Sequence, residues 1–318
     1  MRVLLLFQAV ALASQPRGMP FLRPPFAWIL VLLTLPVQAE VVRVATYNVE
    51  NYLDVPTESR HVKPPEARAM VVESIVALKP DVIALEEMGS TNALMELQSA
   101  LAARGVNLPH WEWVRGVDTN IQVAILSRFE LTARRPHTNE AYLLNGRRFK
   151  VSRGIADVDV RVNERFQFTL MAAHLKSRRS SLLADETEMR EQEALRIRAL
   201  IDERLSTTPF LVLAGDLNDS QNSKAVRAII GNGKTTLFDT HPAERDCSGK
   251  IGTPTTLKRL AAWTYYYASE DTYSRIDFIL PSPAMKARWL PQESYVLSLP
   301  DWGTASDHRP LVCGFEAP

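Results

Sequence analysis

Cysteine is nearly missing from this chain: Cys247 and Cys313 are the two in 318 residues. Two thiols cannot supply the bridge framework of a disulfide-stapled scaffold, and no Cys/His group has zinc-site spacing. Cys247 stands in a polar, loop-like stretch and Cys313 in an apolar strand. One bridge between them and two free thiols both fit that placement. An excess of either charge is missing too, with 37 Lys+Arg against 36 Asp+Glu. That balance lacks the basic signature of a protein held to nucleic acid by bulk electrostatics, though it leaves room for a local basic patch. The segment Gly231–Thr235 has the tail of a phosphate-binding loop, but position 228 is Ala where that motif needs Gly, which excludes ATP binding of that type. No internal repeat, low-complexity tract or linker interrupts the chain.

Apolar runs of membrane-spanning length are also lacking. The longest useful one, Phe26 to Leu35, follows Arg23 and precedes Pro36-Val37-Gln38-Ala39. That order, with Val37 and Ala39 as the small residues, predicts a signal peptide over residues 1–39 and Glu40 as the first mature residue. Val3 to Ala13 is a second apolar stretch, and a start at Met19 would leave a signal of ordinary form. The expected product is periplasmic or secreted, with no stable membrane anchor after cleavage. Residues 1–39 carry Arg2, Arg17 and Arg23 and no acid, so residues 40–318 hold 34 basic against 36 acidic residues, a net of −2.

What is present is an alternation of short apolar strands and amphipathic helices. Val41 to Val49, Asp81 to Leu85 and Phe210 to Gly215 read as buried strands. Pro64-Pro65 opens a helix with Ala67, Val71, Ile75 and Leu78 on one face, and Asp185 with Glu188 starts a long helix reaching Leu205. A further helix spans Ala93 to Arg104. Gln122 to Ser127, Ile155 to Val162 and Phe166 to Leu175 follow one another with no helix between them, the last two flanking a hairpin turn. Late strands are expected at Ile276–Leu280 and Leu311–Phe315. Parallel units mixed with hairpins predict an α+β (α/β sandwich) domain with mixed sheets rather than a doubly wound one.

Polar residues recur where these strands end. Asn48 follows the first, Glu86 and Glu87 the second, and His174 ends Leu170–Ala173. Asp216 and Asn218 leave Phe210–Gly215 on the same side of the chain. Asp277 lies inside an apolar strand, where a charge is costly unless paired. Asp307 and His308 precede the last strand. One such residue is ordinary turn chemistry. The full set suits a hard divalent cation held by oxygens, a water-activating carboxylate and an imidazole beside a phosphate.

In order, TYNVEN (Thr46–Asn51), DVIALEE (Asp81–Glu87), VAILSR (Val123–Arg128), HLKS (His174–Ser177), AGDLND (Ala214–Asp219), RIDFIL (Arg275–Leu280) and SDHRPL (Ser306–Leu311) resemble the endonuclease/exonuclease/phosphatase superfamily. The resemblance spans residues 40–318 and implies a four-layer fold, two packed mixed β-sheets flanked by helices. It implies metal-dependent hydrolysis of phosphate esters, with Mg²⁺ as the usual ion and Mn²⁺ or Ca²⁺ as alternatives. Carried over, Glu87 is the main metal ligand, with Asn48 and Asp307 beside the metal. Asp216 orients or deprotonates the attacking water, and Asn218 holds a phosphoryl oxygen. His308 stabilises the transition state or protonates the leaving oxygen, and Asp277 orients an imidazole. His174 resembles the deoxyribonuclease, sphingomyelinase and inositol-phosphatase branches rather than the abasic-site endonucleases, which carry Asn there.

Arg153 lies where deoxyribonuclease-like relatives place a phosphate-contacting Arg, and a surface Arg is the equal alternative. Lys176, with Arg178 and Arg179, is a candidate basic rim. Arg190 has the spacing of an inward-facing structural partner. Trp263 to Tyr267 reads as an aromatic strand edge packed on the core, with stacking on a base or lipid headgroup as the alternative. The expected partner is a phosphate-ester substrate, with nucleic acid ahead of lipid or small esters. A non-catalytic binding relative is the remaining class, and the retained Glu87, Asp216, Asn218, Asp307 and His308 argue against it.

Overall fold

The computed structural model describes residues 40–246, 261 and 263–318. The predicted signal segment and Cys247 lie outside them. Seven strands form the larger sheet: β1 (Glu40–Tyr52), β2 (Val82–Met88), β3 (His110–Val114), β4 (Gln122–Ser127), β11 (Ala243–Asp246), β15 (Trp289–Ser298) and β16 (Leu311–Ala317). Their order is β11-β15-β16-β1-β2-β4-β3. Five strands form the second sheet: β5 (Glu130–Arg134), β8 (Ala156–Arg161), β9 (Gln167–His174), β10 (Leu211–Asp216) and β14 (Asp277–Pro281), ordered β14-β10-β9-β8-β5. β6 (Ala141–Leu144) pairs with β7 (Arg147–Lys150), and β12 (Tyr265–Tyr267) with β13 (Thr272–Ser274), as two-stranded ribbons. Both sheets mix parallel and antiparallel pairs, as expected.

Period-2 alternation builds the layers. Val44, Val82, Ala84, Leu170, Ala172, Val212 and Ala214 point between the sheets into one core with Phe168 and Ile279. Their neighbours Ala45, Ile83 and Leu85 face outward onto helices α1 (Pro65–Leu78) and α2 (Thr91–Ala103) through Val71, Ile75, Leu94 and Leu97. Met171, Ala173, Leu211 and Leu213 face helices α3 (Glu186–Leu205) and α4 (Lys224–Ile230) through Ile197, Ile201, Val226 and Ile229. The result is the four-layer sandwich. Two short helices, α5 (Pro283–Lys286) and α6 (Trp302–Ala305), complete the set.

The predicted helix starts form. Asp185 accepts from the amides of Thr187 and Glu188 at the start of α3, and α1 begins at Pro65. α1 ends on Lys79 in the left-handed conformation, one residue before Pro80. Among the described residues no helix is long and apolar enough to cross a membrane. Cys313 is buried, its thiol donating to Thr240 Oγ1 at 3.3 Å.

Candidate active site

Topology brings the polar strand ends to one edge of the sandwich. β1 and β2 are parallel, so Asn48 aligns with Glu86 at their C-terminal ends. β9 and β10 are parallel, so His174 aligns with Asp216. β14 runs antiparallel to β10 and therefore starts at that same edge, with Asp277 opposite Asp216. β16 runs antiparallel to β1, and the segment leading into it carries Asp307 and His308 there as well. Gly215 lets β9 and β10 close up just before their polar ends. It has φ 144°, and a Cβ would sit 1.9 Å from the Ala173 carbonyl oxygen. Glu50, Asn51, Glu87 and Asn218 have φ between 44° and 63°, a strained region for non-glycine residues that clusters at working sites.

At the centre, His308 Nδ1 donates to Asp277 Oδ2 at 2.9 Å, and its Nε2 lies 3.8 Å from Asp216 Oδ2. Burial disfavours the imidazolium, but Asp277 and Asp216 outweigh it and hold the His308 pKa well above the ordinary value. Asp216 is pushed up to about 7 by burial, with His308 acting against that rise and Asp277 adding to it. Its Oδ1 accepts from the Asn218 amide at 2.8 Å, and its Oδ2 from Asn48 Nδ2 at 3.1 Å. His174 Nε2 stands 3.5 Å from Asp216 Oδ2. Burial, and then the nearby Arg153, hold His174 well below its usual pKa, so it is the neutral imidazole of the pair. The Asn218 amide group donates to Leu175 O and Asp216 Oδ2 at 3.0 and 3.2 Å.

Beside this centre lies a group of oxygens. Asn48 Oδ1 accepts from the Glu50 amide at 3.0 Å, and Glu87 Oε2 accepts from the Asn51 amide at 3.1 Å. The Asp307 carboxyl is raised by burial and by Glu87, with His308 opposing, while Glu50 is raised by burial and by Asp307. Mutually repelling carboxylates with an amide oxygen match the all-oxygen shell of a hard divalent cation. Asp216, Asp277 and His308 also place their ligand atoms within 4.8 Å of one another, close enough to hold a metal. Within that trio His308 is hydrogen-bonded to Asp277 and offers an imidazole nitrogen, whereas Asn48, Glu87 and Asp307 offer oxygens alone, the donor type a hard divalent cation takes. Glu86 turns inward. It accepts from Thr46 Oγ1 at 2.9 Å, and complete burial raises its pKa well above the usual range.

The rim differs from expectation. Arg153 is a buried residue rather than a surface one. It donates from Nη1 to Leu175 O at 3.0 Å, lies 3.7 Å from Asp118 through Nε, and stands close enough to affect His174. The Lys176 ammonium is turned onto the carbonyls of Ser177 and Arg179 at 3.2 and 3.0 Å, so it braces its own loop. Arg190 is turned inward and bonds Asp219 Oδ2 at 3.0 Å, the structural pairing its spacing implies. Trp263 to Tyr267 is not a core edge. It contributes a separate surface ribbon against the 307–309 segment, bonded through Tyr266 N to Asp307 O at 2.9 Å and Arg309 N to Thr264 O at 2.7 Å.

Sequence reading misses Glu50, Arg60 and Lys63. Arg60 bonds Asn51 and lies 3.4 Å from Glu87, and Lys63 is 3.8 Å from Glu50. Glu50 sits inside the TYNVEN motif and could have been found there. Arg60 and Lys63 lie in an aperiodic loop that carries no signal.

Residues 45–308 match the sequence profile of the Endonuclease/Exonuclease/phosphatase family. The chain belongs to that family. Its members are phosphoric ester hydrolases, and the strand-end site described above falls within the matched span. No curated protein matches the chain in sequence. Among solved structures, the human Nocturnin catalytic domain with bound sulfate is 16% identical at TM-score 0.59, covering 87% of this chain and 97% of that one. Sphingomyelinase C from Streptomyces griseocarneus is 18% identical at TM-score 0.54, covering 87% and 99%. An endonuclease/exonuclease/phosphatase from Bacteroides vulgatus is 17% identical at TM-score 0.58, covering 88% and 100%. At these identities the likeness is one of fold.

Proposed function

We propose that residues 40–318 form an exported, divalent-metal-dependent phosphodiesterase acting as a nuclease. The observation that carries this reading is the juxtaposition of Asp216 with a His308 charged through Asp277, at the edge where both sheets end. Asp216, with a pKa near 7, suits the removal of a proton from water at neutral pH. The water oxygen bonds to phosphorus as the ester P–O bond breaks, and the His308 imidazolium returns a proton to the leaving oxygen. Asn218, which donates to Asp216 through both its backbone and side-chain amides, and the neutral His174 keep Asp216 in place. Asn48, Glu87 and Asp307 would hold the divalent ion, which supplies positive charge against the negative charge that develops on the phosphoryl oxygens.

A second reading has one observation of its own. Leu182 and Leu183 are exposed in the loop that carries Arg178 and Arg179, a combination that suits a lipid-directed or small-molecule phosphoesterase. The two readings separate on substrate. The purified protein is assayed on plasmid DNA, RNA, sphingomyelin vesicles and bis-p-nitrophenyl phosphate, with Mg²⁺ and with EDTA, beside Glu87→Ala and His308→Ala. Metal-dependent cleavage of nucleic acid, lost in both variants, is the expected result. Cleavage of sphingomyelin alone would replace the nuclease reading with the lipid one, and no turnover on any of these substrates would refute a diesterase of either kind.

Export is supported by the apolar run Phe26–Leu35 and the small residues Val37 and Ala39. N-terminal sequencing of the protein from the periplasm or medium is expected to begin at Glu40, and recovery of intact chain from the cytoplasm alone would refute it.

A further inference from the structure

A short aromatic ribbon leads out from His308, and its anchoring shows which of its faces is free. Strand residues alternate between faces. On one face Tyr266 packs on Tyr273 with ring centroids 4.7 Å apart and edge-on to Trp302 at 6.5 Å. Trp263 joins that cluster, 5.0 Å from Tyr273 and 5.1 Å from Trp302, with the Arg309 guanidinium 3.4 Å over its ring. These contacts, with the backbone bonds to residues 307–309, fix the ribbon to the catalytic segment.

The opposite face carries Tyr265 and Tyr267. Tyr265 lies against the His308 imidazole with centroids 4.6 Å apart. Tyr267 continues the row, 6.4 Å from Tyr265 and tilted by only 22° from its plane. Tyr267 is 41% exposed. The two rings stand nearly parallel in a row that starts at the proposed proton donor and ends in solvent. The Tyr265 phenol is within electrostatic reach of Asp307, Asp216 and Arg179. Arg178 and Arg179 are exposed on the loop after β9, and Arg178 Nε is tied to Asn218 O at 3.1 Å. The free aromatic face and the cations therefore border the same site.

We propose that Tyr265 and Tyr267 are specificity-determining residues that stack on a nucleobase next to the scissile phosphate, with Arg178 and Arg179 meeting the neighbouring phosphates, so that the preferred substrate is a single-stranded nucleic acid. The proposal rests on the phosphoesterase reading above and names its substrate class. Flat rings beside a cationic track are the combination that binds single strands, because every base has a stacking face and every linkage a charge. A base paired inside a duplex does not present that face.

The test is equilibrium binding of fluorescein-labelled oligothymidylate in EDTA, where no turnover occurs. A strand of the same length with abasic sugars keeps the phosphates and removes the bases. Wild type is expected to bind the base-bearing strand about tenfold or more tighter, the range set by base–aromatic stacking. Tyr267→Ala should shrink that difference by about fivefold or more while leaving the affinity for the abasic strand unchanged. Tyr267 is solvent-facing, and a circular-dichroism melt coincident with wild type will show that the variant is folded. Equal wild-type affinity for both strands would overturn the proposal, as would an equal loss on both strands in the variant. Retained oligonucleotide binding with lost binding to sphingomyelin vesicles would assign the ribbon to lipid and overturn it too. Hydrolysis of bis-p-nitrophenyl phosphate by the wild type, run in parallel, reports separately on the phosphoesterase reading.

Discussion

Removing the Glu193 carboxylate should loosen the wall behind the site. Glu193 lies on α3, is fully buried, and accepts from three donors. Ser152 N and Ser152 Oγ reach its Oε1 at 2.8 and 2.6 Å, and Lys176 N reaches its Oε2 at 2.7 Å. One side chain thus ties a helix to the residue before Arg153 and to the loop after His174. Burial raises its pKa, and the Ser152 bonds oppose that rise.

In Glu193→Ala two backbone amides and a hydroxyl lose their partner. At about 1.5–3 kcal/mol for each bond to a charged group, and allowing the hydroxyl to turn elsewhere, the loss is about 3–6 kcal/mol. That corresponds to a fall in Tm of roughly 6–12 °C at about 2 °C per kcal/mol for a chain this long. Glu193→Gln keeps the volume and one acceptor oxygen but faces the Lys176 amide with a donor, and should lose about half as much. Scanning calorimetry of both variants beside wild type measures this. A Glu193→Ala protein melting within about 2 °C of wild type would refute the reasoning, since not even one of the bonds would then carry net stability.

Other consequences are equally open to measurement. Asp277→Ala removes the anion that keeps His308 charged. Cleavage of nucleic acid should fall about 10²–10⁴-fold, and that of bis-p-nitrophenyl phosphate far less, because nitrophenolate leaves without a proton; equal losses on both would exclude His308 as the proton donor. Gly215→Ala places a methyl 1.9 Å from the Ala173 carbonyl oxygen, and should cost more than about 3 kcal/mol or prevent folding; a variant with wild-type Tm would show that β9 and β10 separate freely. Metal binding can be followed without turnover: Mg²⁺ should raise the wild-type Tm and leave that of Glu87→Ala unchanged, and an equal rise in both would move the metal away from Glu87.

His137 provides a pH test away from the site. Its Nδ1 lies 3.2 Å from Glu140 and its Nε2 3.4 Å from Asp157, while Arg135, Arg196 and Arg204 face the same two acids. The Asp157 hydrogen bond leads the rise in the His137 pKa. A raised folded-state pKa contributes stability that is full below the unfolded value near about 6.5 and is lost as pH rises through the folded value. His137→Gln should therefore lower Tm more at about pH 5.5 than at about pH 8.5, and a gap that widens with rising pH would contradict the assignment.

Much of the architecture is legible because its signals are local. The buried apolar run along Leu211–Asp216, the helix start at Pro65 and the cap at Asp185 need no tertiary knowledge. The strand-end polar residues stand out because each follows an apolar run that must be buried. The β6–β7 ribbon went unread, although Asn145-Gly146 is a strong hairpin signal and both residues take positive φ. β15 hides behind Pro291 and a register shift between Leu290 and Tyr295. Glu193, Arg60 and Lys63 were not readable as parts of the site. Their partners are far away in sequence, and a charged residue on a helix or loop looks like a solvated one until the fold brings the other donors to it. The aromatic ribbon is a subtler case. Composition pointed inward, whereas the anchoring of Tyr266 and Trp263 leaves Tyr265 and Tyr267 facing out.

The two sheets divide the site between them. Asn48, Glu87 and the 307–308 segment belong to the larger one, and His174, Asp216 and Asp277 to the smaller. Asn48–Asp216 and His308–Asp277 span the seam as buried polar bonds. The interleaf core of Phe168, Val212 and Ile279 therefore sets the alignment of one half of the chemistry against the other, as the bed of a vice sets its jaws. A slip of one leaf over the other, too small to melt the protein, would part acid from base and His308 from the Asp277 that keeps it charged.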